Sequence, residues 1–260
     1  MKHILGKWLA VLVQLLATWL TLAWPTSNAM ASELKIAFVG DRPPFCFRKN
    51  NVDQGIEIDL LTRIMGDAGH QIKIVIIPKI RLIKAVKDKE VDAAATVKNN
   101  NDTSLLFSDD YLDFQNLVIS KSRSAIKLTH LEELKKYSFV IWQDGWRNLN
   151  DEFEEHYRPD RAGNFPKNYY QAYTQLSQNK MFWANRVQLI IIDKTIFEHY
   201  RKLLAKEFDT SIAITYHDLF KLKTSYNVVF SDPTLHKQFN AGLRKLRANG
   251  DYQRIIDRYK

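Results

Sequence analysis

Residues 34–61, LKIAFVGDRPPFCFRKNNVDQGIEIDLL, decide the reading of the fold. An apolar run, Ile36 to Val39, enters a Pro43-Pro44 turn flanked by Phe45 and Phe47. A polar hairpin-like loop follows, then an acidic helix start with Leu60, Leu61, Ile64 and Met65 at helical spacing. A buried strand that delivers Asp41, Arg42, Phe45 and Phe47 to its C-terminal end is how α/β domains build ligand clefts.

Outward from that stretch, the N-terminus reads as a secretory signal. Lys2 and Lys7 form a basic start, Trp8 to Leu22 is almost wholly apolar, and Ala29-Met30-Ala31 is an A-x-A cleavage site. Cleavage after Ala31 places the mature chain in the periplasm, and no Cys near that site indicates a lipid anchor. Losing two lysines and no acids lowers the formal charge from +9 to +7. Lys and Arg are spread evenly, with no basic run and no nucleic-acid motif, so the charge reads as a solvated surface and no nucleic-acid partner is expected. Cys46 is the single cysteine; an intrachain disulfide is excluded, and the core must hold the fold alone.

Strand and helix patterns then alternate, the grammar of an α/β chain. Ile72 to Ile77 and Val91 to Val97 read as strands, with a short helix at Arg81 to Val86 between them. Asn116 to Ser120, Ser138 to Trp142, Val187 to Ile192 and Tyr226 to Phe230 are further strands. Thr129 and Glu132 fit a capping box. A helical stretch from Tyr170 is expected to place Tyr173, Leu176 and Met181 toward a core. Ser231-Asp232-Pro233 opens a helix whose stripe is Leu235, Phe239, Leu243 and Leu246, and Asn249-Gly250 stops it.

Seven landmarks stand in order: LKIAFVGDRPPFCF, GIEIDLL, EVDAAAT, FSDDY, FVIWQDGW, NRVQLIIID and NGDYQRIIDRY. Together they resemble the type II periplasmic solute-binding proteins, family 3, which serve polar amino-acid ABC importers. The resemblance implies a two-lobed periplasmic-binding-protein type II fold, α/β, each lobe a mixed sheet flanked by helices. Lobe 1 would be residues 33–120 plus 225–260 and lobe 2 residues 121–224, with two hinge crossings near Lys121 and Lys223. It also implies a small molecule held between the lobes and delivered to an inner-membrane ABC permease; a monomer without cofactor is expected.

The resemblance carries site residues as well. The family places an Arg six residues before the Phe of the FSDxY-like motif, where it forks onto the ligand carboxylate; here that position is Asn101. An amide cannot replace a bidentate, permanently charged guanidinium. Where the family has a small hydroxyl residue in the loop after the lobe 2 strand, this chain carries Trp146. Asp193 matches the family Asp that accepts the ligand ammonium, and it is equally suited to cap the helix that follows. These features point to a cationic or aromatic ligand, or one whose acid group is held elsewhere. Trp142, Trp146, Phe45, Phe47 and Tyr111 are candidate stacking walls, each contact worth roughly 0.5–2 kcal/mol. Arg42, Lys98 and Arg147 are candidate relocated bases, and Asp41 and Thr96 complete the expected ligand-binding set. Arg81 resembles an Arg found at that helix start in many members, with a surface role as the alternative.

A non-catalytic binding protein for a permease is the leading reading. A receptor-type binder is the alternative, and a dehydratase on the same fold is a third. The last would need an acid with a raised pKa in the cleft, for which Glu57 and Asp41 are the nearest residues. Histidines stand singly, without metal-binding spacing.

Overall fold

The computed structural model describes residues 32–220 and 223–259; the expected signal segment and its cleavage site lie outside them. Strand β1 (Ser32–Phe38) pairs parallel with β4 (His70–Ile76), from Ser32↔His70 to Phe38↔Ile76, and with β5 (Ala93–Val97). The returning strand β13 (Thr224–Phe230) runs antiparallel to β5 and also pairs with β6 (Leu106–Phe107) and β7 (Leu112–Phe114). The first sheet therefore has the order β4-β1-β5-β13-β6. A two-stranded hairpin, β2 (Phe47–Lys49) and β3 (Val52–Gln54), fills the loop after β1.

Helix α1 (Ile56–Asp67) buries Ile56, Leu60, Leu61, Ile64 and Met65, the face that the helical spacing marks. They join Ile36, Phe38, Phe239 and Leu243 in one core. Phe239 and Leu243 come from α6 (Pro233–Ala248), whose first turn is fixed by Asp232: Oδ1 accepts the Thr234 and Leu235 amides at 2.6 and 2.9 Å. Helix α2 (Leu82–Lys87) covers the β5 side, and α7 (Asp251–Asp257) closes over α1.

The second sheet has the order β10-β9-β11-β8-β12, built from β8 (Asn116–Lys121), β9 (Phe139–Trp142), β10 (Tyr169–Ala172), β11 (Leu189–Asp193) and β12 (Ile214–His217). Strand β8 is antiparallel to both β11 and β12, so the chain changes sheets at Gln115, ahead of the crossing expected near Lys121. It returns between His217 and Thr224. The two crossings run side by side, because Thr224 registers with Phe114.

Two local expectations change. Tyr169–Ala172 is a strand, since β-favouring tyrosines complete the sheet edge beside β9; α4 (Gln175–Trp183) starts only after the Thr174 cap. Tyr173 is accordingly 87 % exposed and Leu176 38 % exposed. At the Leu131–Lys136 turn the closing acid is Glu133, not Glu132: its Oε2 accepts the Thr129 and His130 amides at 2.7 and 3.2 Å.

Gly55 fixes how α1 meets the Pro-Pro turn. Its φ is +138°, and a Cβ there would lie 2.1 Å from the Phe45 carbonyl oxygen. That close approach lets the Ile56 and Glu57 amides donate to the Pro44 and Phe45 carbonyls, each at 3.0 Å. Gly55→Ala is expected to lower stability by at least about 2 kcal/mol, read as a shift of the urea midpoint at unchanged slope.

Candidate functional site

Three chain segments at the C-terminal ends of strands converge between the two sheets. The turn after β4 and the start of α2 supply Lys79, Ile80, Leu82 and Ile83; the end of β5 supplies Thr96, Val97 and Lys98; the end of β9 supplies Trp142, Gln143, Asp144 and Asn148. They enclose a cleft of about 600 Å³, a volume suited to a small solute. Lys98 spans it, its Nζ 3.5 Å from the Asn148 carbonyl. A larger concavity, about 880 Å³, runs along α1 and α7 on the outer face. Its charged groups already satisfy one another, Arg63 and Arg254 with Asp251 and Arg258 with Asp59, so it offers a ligand little.

Behind the cleft's first wall lies a buried polar pair. One Arg42 nitrogen, Nη2, donates to both Glu57 oxygens at 2.9 and 3.2 Å, and the guanidinium lies 5.9 Å from the Phe114 ring. Burial raises the Glu57 pKa, with Arg42 and the Thr96 hydroxyl offsetting part of that cost. Thr96 sits at φ 58°, which turns its hydroxyl inward to hydrogen-bond the Tyr111 hydroxyl at 2.7 Å. Tyr111 is fully buried, and Phe45 packs on Phe114 with ring centroids 4.3 Å apart. Both rings are spent on the core. Asp41 is exposed at a separate small hollow it shares with Phe47 and Cys46, and burial pushes the Cys46 thiol up to about 12.

The lobe 2 wall divides the expected tryptophans. Trp142 is half-buried and lines the cleft. Trp146 lines a neighbouring hollow of about 280 Å³ with Gln171 and Tyr173, under the Arg147 guanidinium at 4.5 Å from the ring centroid. Asn101 is exposed in a loop of local turns, its amide donating to Asn99 Oδ1. Arg81 turns outward to Glu90 at 2.9 Å. Lys79 and Ile80, unmarked in the sequence reading, belong to the cleft. Their signal was the Pro78 stop that delivers them to the strand's end.

Asp193 closes β11 and is 3 % exposed. Its Oδ1 accepts the Thr195 and Ile196 amides at 2.8 and 3.0 Å, capping α5 (Lys194–Leu203). Its Oδ2 accepts the Gln115 amide at 2.8 Å, in the segment that crosses between sheets. Three of about four acceptor positions are thus taken by backbone. Asp193 does not line the 600 Å³ cleft.

The family described as bacterial extracellular solute-binding proteins, family 3, matches residues 34–260. The chain belongs to that family. It is 23 % identical over 257 residues to the arginine-binding extracellular protein ArtP of Bacillus subtilis (strain 168), covering 96 % of both chains. Among solved structures it resembles the arginine-, lysine-, histidine-binding protein ArtJ of Geobacillus stearothermophilus, with 17 % identity, a TM-score of 0.64 and coverage of 88 % and 95 %. It likewise resembles the ancestral amino acid-binding protein AncCDT-1, a precursor of cyclohexadienyl dehydratase, with 18 % identity, a TM-score of 0.65 and the same coverage. These structural likenesses establish the two-lobed α/β fold. No helix among the described residues is long and apolar enough to cross a membrane.

Burial outweighs the three amide donors and raises the Asp193 pKa to about 6. A carboxyl near 3.9 when unfolded then binds more protons in the native state between pH 4 and 6. Its contribution to stability is therefore fullest below about pH 4 and is lost as pH rises through about 6. Denaturant titrations across that window are expected to show a loss on the order of 2 kcal/mol in the parent that is absent in Asp193→Asn, whose amide still caps α5.

Proposed function

We propose that this protein captures a small polar solute in the cleft between its lobes and presents it, as a monomer in the periplasm, to an inner-membrane ABC permease. The observation that carries the reading is the cleft itself: walls from both sheets, at strand ends, in a chain that crosses between sheets twice at adjacent places. Paired crossings of that kind let two lobes close as near-rigid bodies. Closure would exclude water and strengthen each polar contact made to the ligand. Trp142, at the meeting of the two walls, supplies the apolar surface that such sites use beside their few polar groups.

The geometry favours binding over catalysis. Glu57, the acid a dehydratase would call upon, is fully buried and held through both oxygens by Arg42. With no exposed surface and no place in the cleft lining, its carboxyl is out of reach of a substrate proton. A thiol nucleophile is equally disfavoured, because Cys46 is buried and its pKa raised by that burial.

Solution scattering tests the reading. Binding of the cognate solute is expected to reduce the radius of gyration and to change tryptophan emission, and Trp142→Phe should remove most of that optical change. A ligand that binds with neither compaction nor an effect of Trp142→Phe would place its site elsewhere.

A further inference from the structure

The basic groups near the cleft are mostly committed. Arg42 is bound to Glu57 and Arg81 to Glu90, while Arg147 lies over Trp146 in the neighbouring hollow and does not line the cleft. Lys79 and Lys98 differ. Both line the cleft from lobe 1, and neither forms an ion pair among the described residues. The Lys79 ammonium lies 5.9 Å from the Tyr226 ring centroid, and Lys98 reaches only the Asn148 carbonyl. They are open to solvent through the cleft mouth, yet protein crowds them on both sides. That crowding lowers both pKa values, and the charges of Arg42 and Lys98 lower Lys79 further. The cleft lining holds one acid, Asp144, on the facing lobe. Asp193, the counterpart of the family's ammonium acceptor, is filled by three backbone amides and stands outside the lining.

We propose that Lys79 and Lys98 form the anion-binding arm of this cleft, and that the captured solute is a small organic acid of net negative charge. Its carboxylate is held between the two ammoniums of lobe 1, and its body lies against Ile80 and Trp142. This rests on the solute-binding reading above and adds the charge of the solute. Both ammoniums line the same wall and the Lys98 charge acts on Lys79, so a carboxylate entering between them relieves that repulsion while gaining charge-assisted hydrogen bonds. Closure brings Asn148 and Trp142 over the bound acid, so the lobe 2 wall contributes polar and apolar contact without adding a third cation.

Calorimetry on the protein purified from the periplasm tests this with succinate and phenylacetate against L-arginine and putrescine. The acids are expected to bind and the cations not, with affinity falling as salt rises. Lys79→Met and Lys98→Met should each weaken acid binding about tenfold or more, and Lys→Arg at either position should recover most of the loss. Thermal unfolding of the Met variants should match or exceed the parent, since a repulsion is removed. Acids that fail to bind, or that bind the double Met variant as tightly as the parent, overturn the proposal. If L-arginine or putrescine binds and compacts the protein, the charge assignment falls and solute capture stands. If none of the four compacts it, the charge assignment falls and solute capture loses its support as well.

Discussion

A single buried carboxylate joins the two halves of this protein's architecture. At the end of β11 the antiparallel ladder runs out at Asp193↔Asn116, where the chain has just crossed from the first sheet. The amides of Gln115, Thr195 and Ile196 would all be left without partners there, and Asp193 accepts all three. The Lys194 amide completes the joint by donating to the Gln115 carbonyl at 3.0 Å. An unsatisfied amide in such a place costs about as much as a lost hydrogen bond. The arrangement ties Gln115, in the crossing segment, to the second sheet, while Phe114 just before it pairs with Thr224. The position of the cleft follows from it. Strand β9 is held parallel to β11 in the same sheet, and its end, from Trp142 onward, is aimed at the ends of β4 and β5.

Much of this was legible from residue pattern. The alternation of apolar runs with helical stripes marked the sheets and α1 and α6, and Pro233 marked a helix start that the structure retains. What the pattern could not carry was pairing. Tyr169–Ala172 has no alternation that separates strand from helix, and it becomes a strand because β9 presents an open edge. The place of the first crossing escaped for the same reason: Asn116–Lys121 is apolar enough to sit in either sheet, and only its register with β11 and β12 decides.

The lining of the candidate cleft was legible in part. Trp142, Lys98 and Thr96 lie at the cleft, as strand-end residues should. Phe45 and Tyr111 look like cleft aromatics in sequence because they flank turns, but large rings next to a Pro-Pro turn and an acidic loop are also what a core needs at its margins, and both are buried. Trp146 stands four residues after Trp142, yet the Gly145–Arg147 turn sends it into the neighbouring hollow. Lys79 and Ile80 had only the Pro78 stop to mark them; their place in the cleft comes from the fold's setting the end of β4 opposite the end of β9.

The distribution of charge in lobe 1 follows one rule applied in two settings. In lobe 1 the fully buried Glu57, where desolvation is most costly, is paired with Arg42. At the cleft, water still reaches Lys79 and Lys98, and the cost of leaving them without a counter-ion is small enough to bear. That cost rises as closure dries the cleft, unless an anion enters with it. If Lys79 and Lys98 form the anion-binding arm proposed above, an empty cleft would resist closing and an occupied one would not. The same charges that select the solute would thereby hold the unliganded protein open, coupling capture to closure through electrostatics alone.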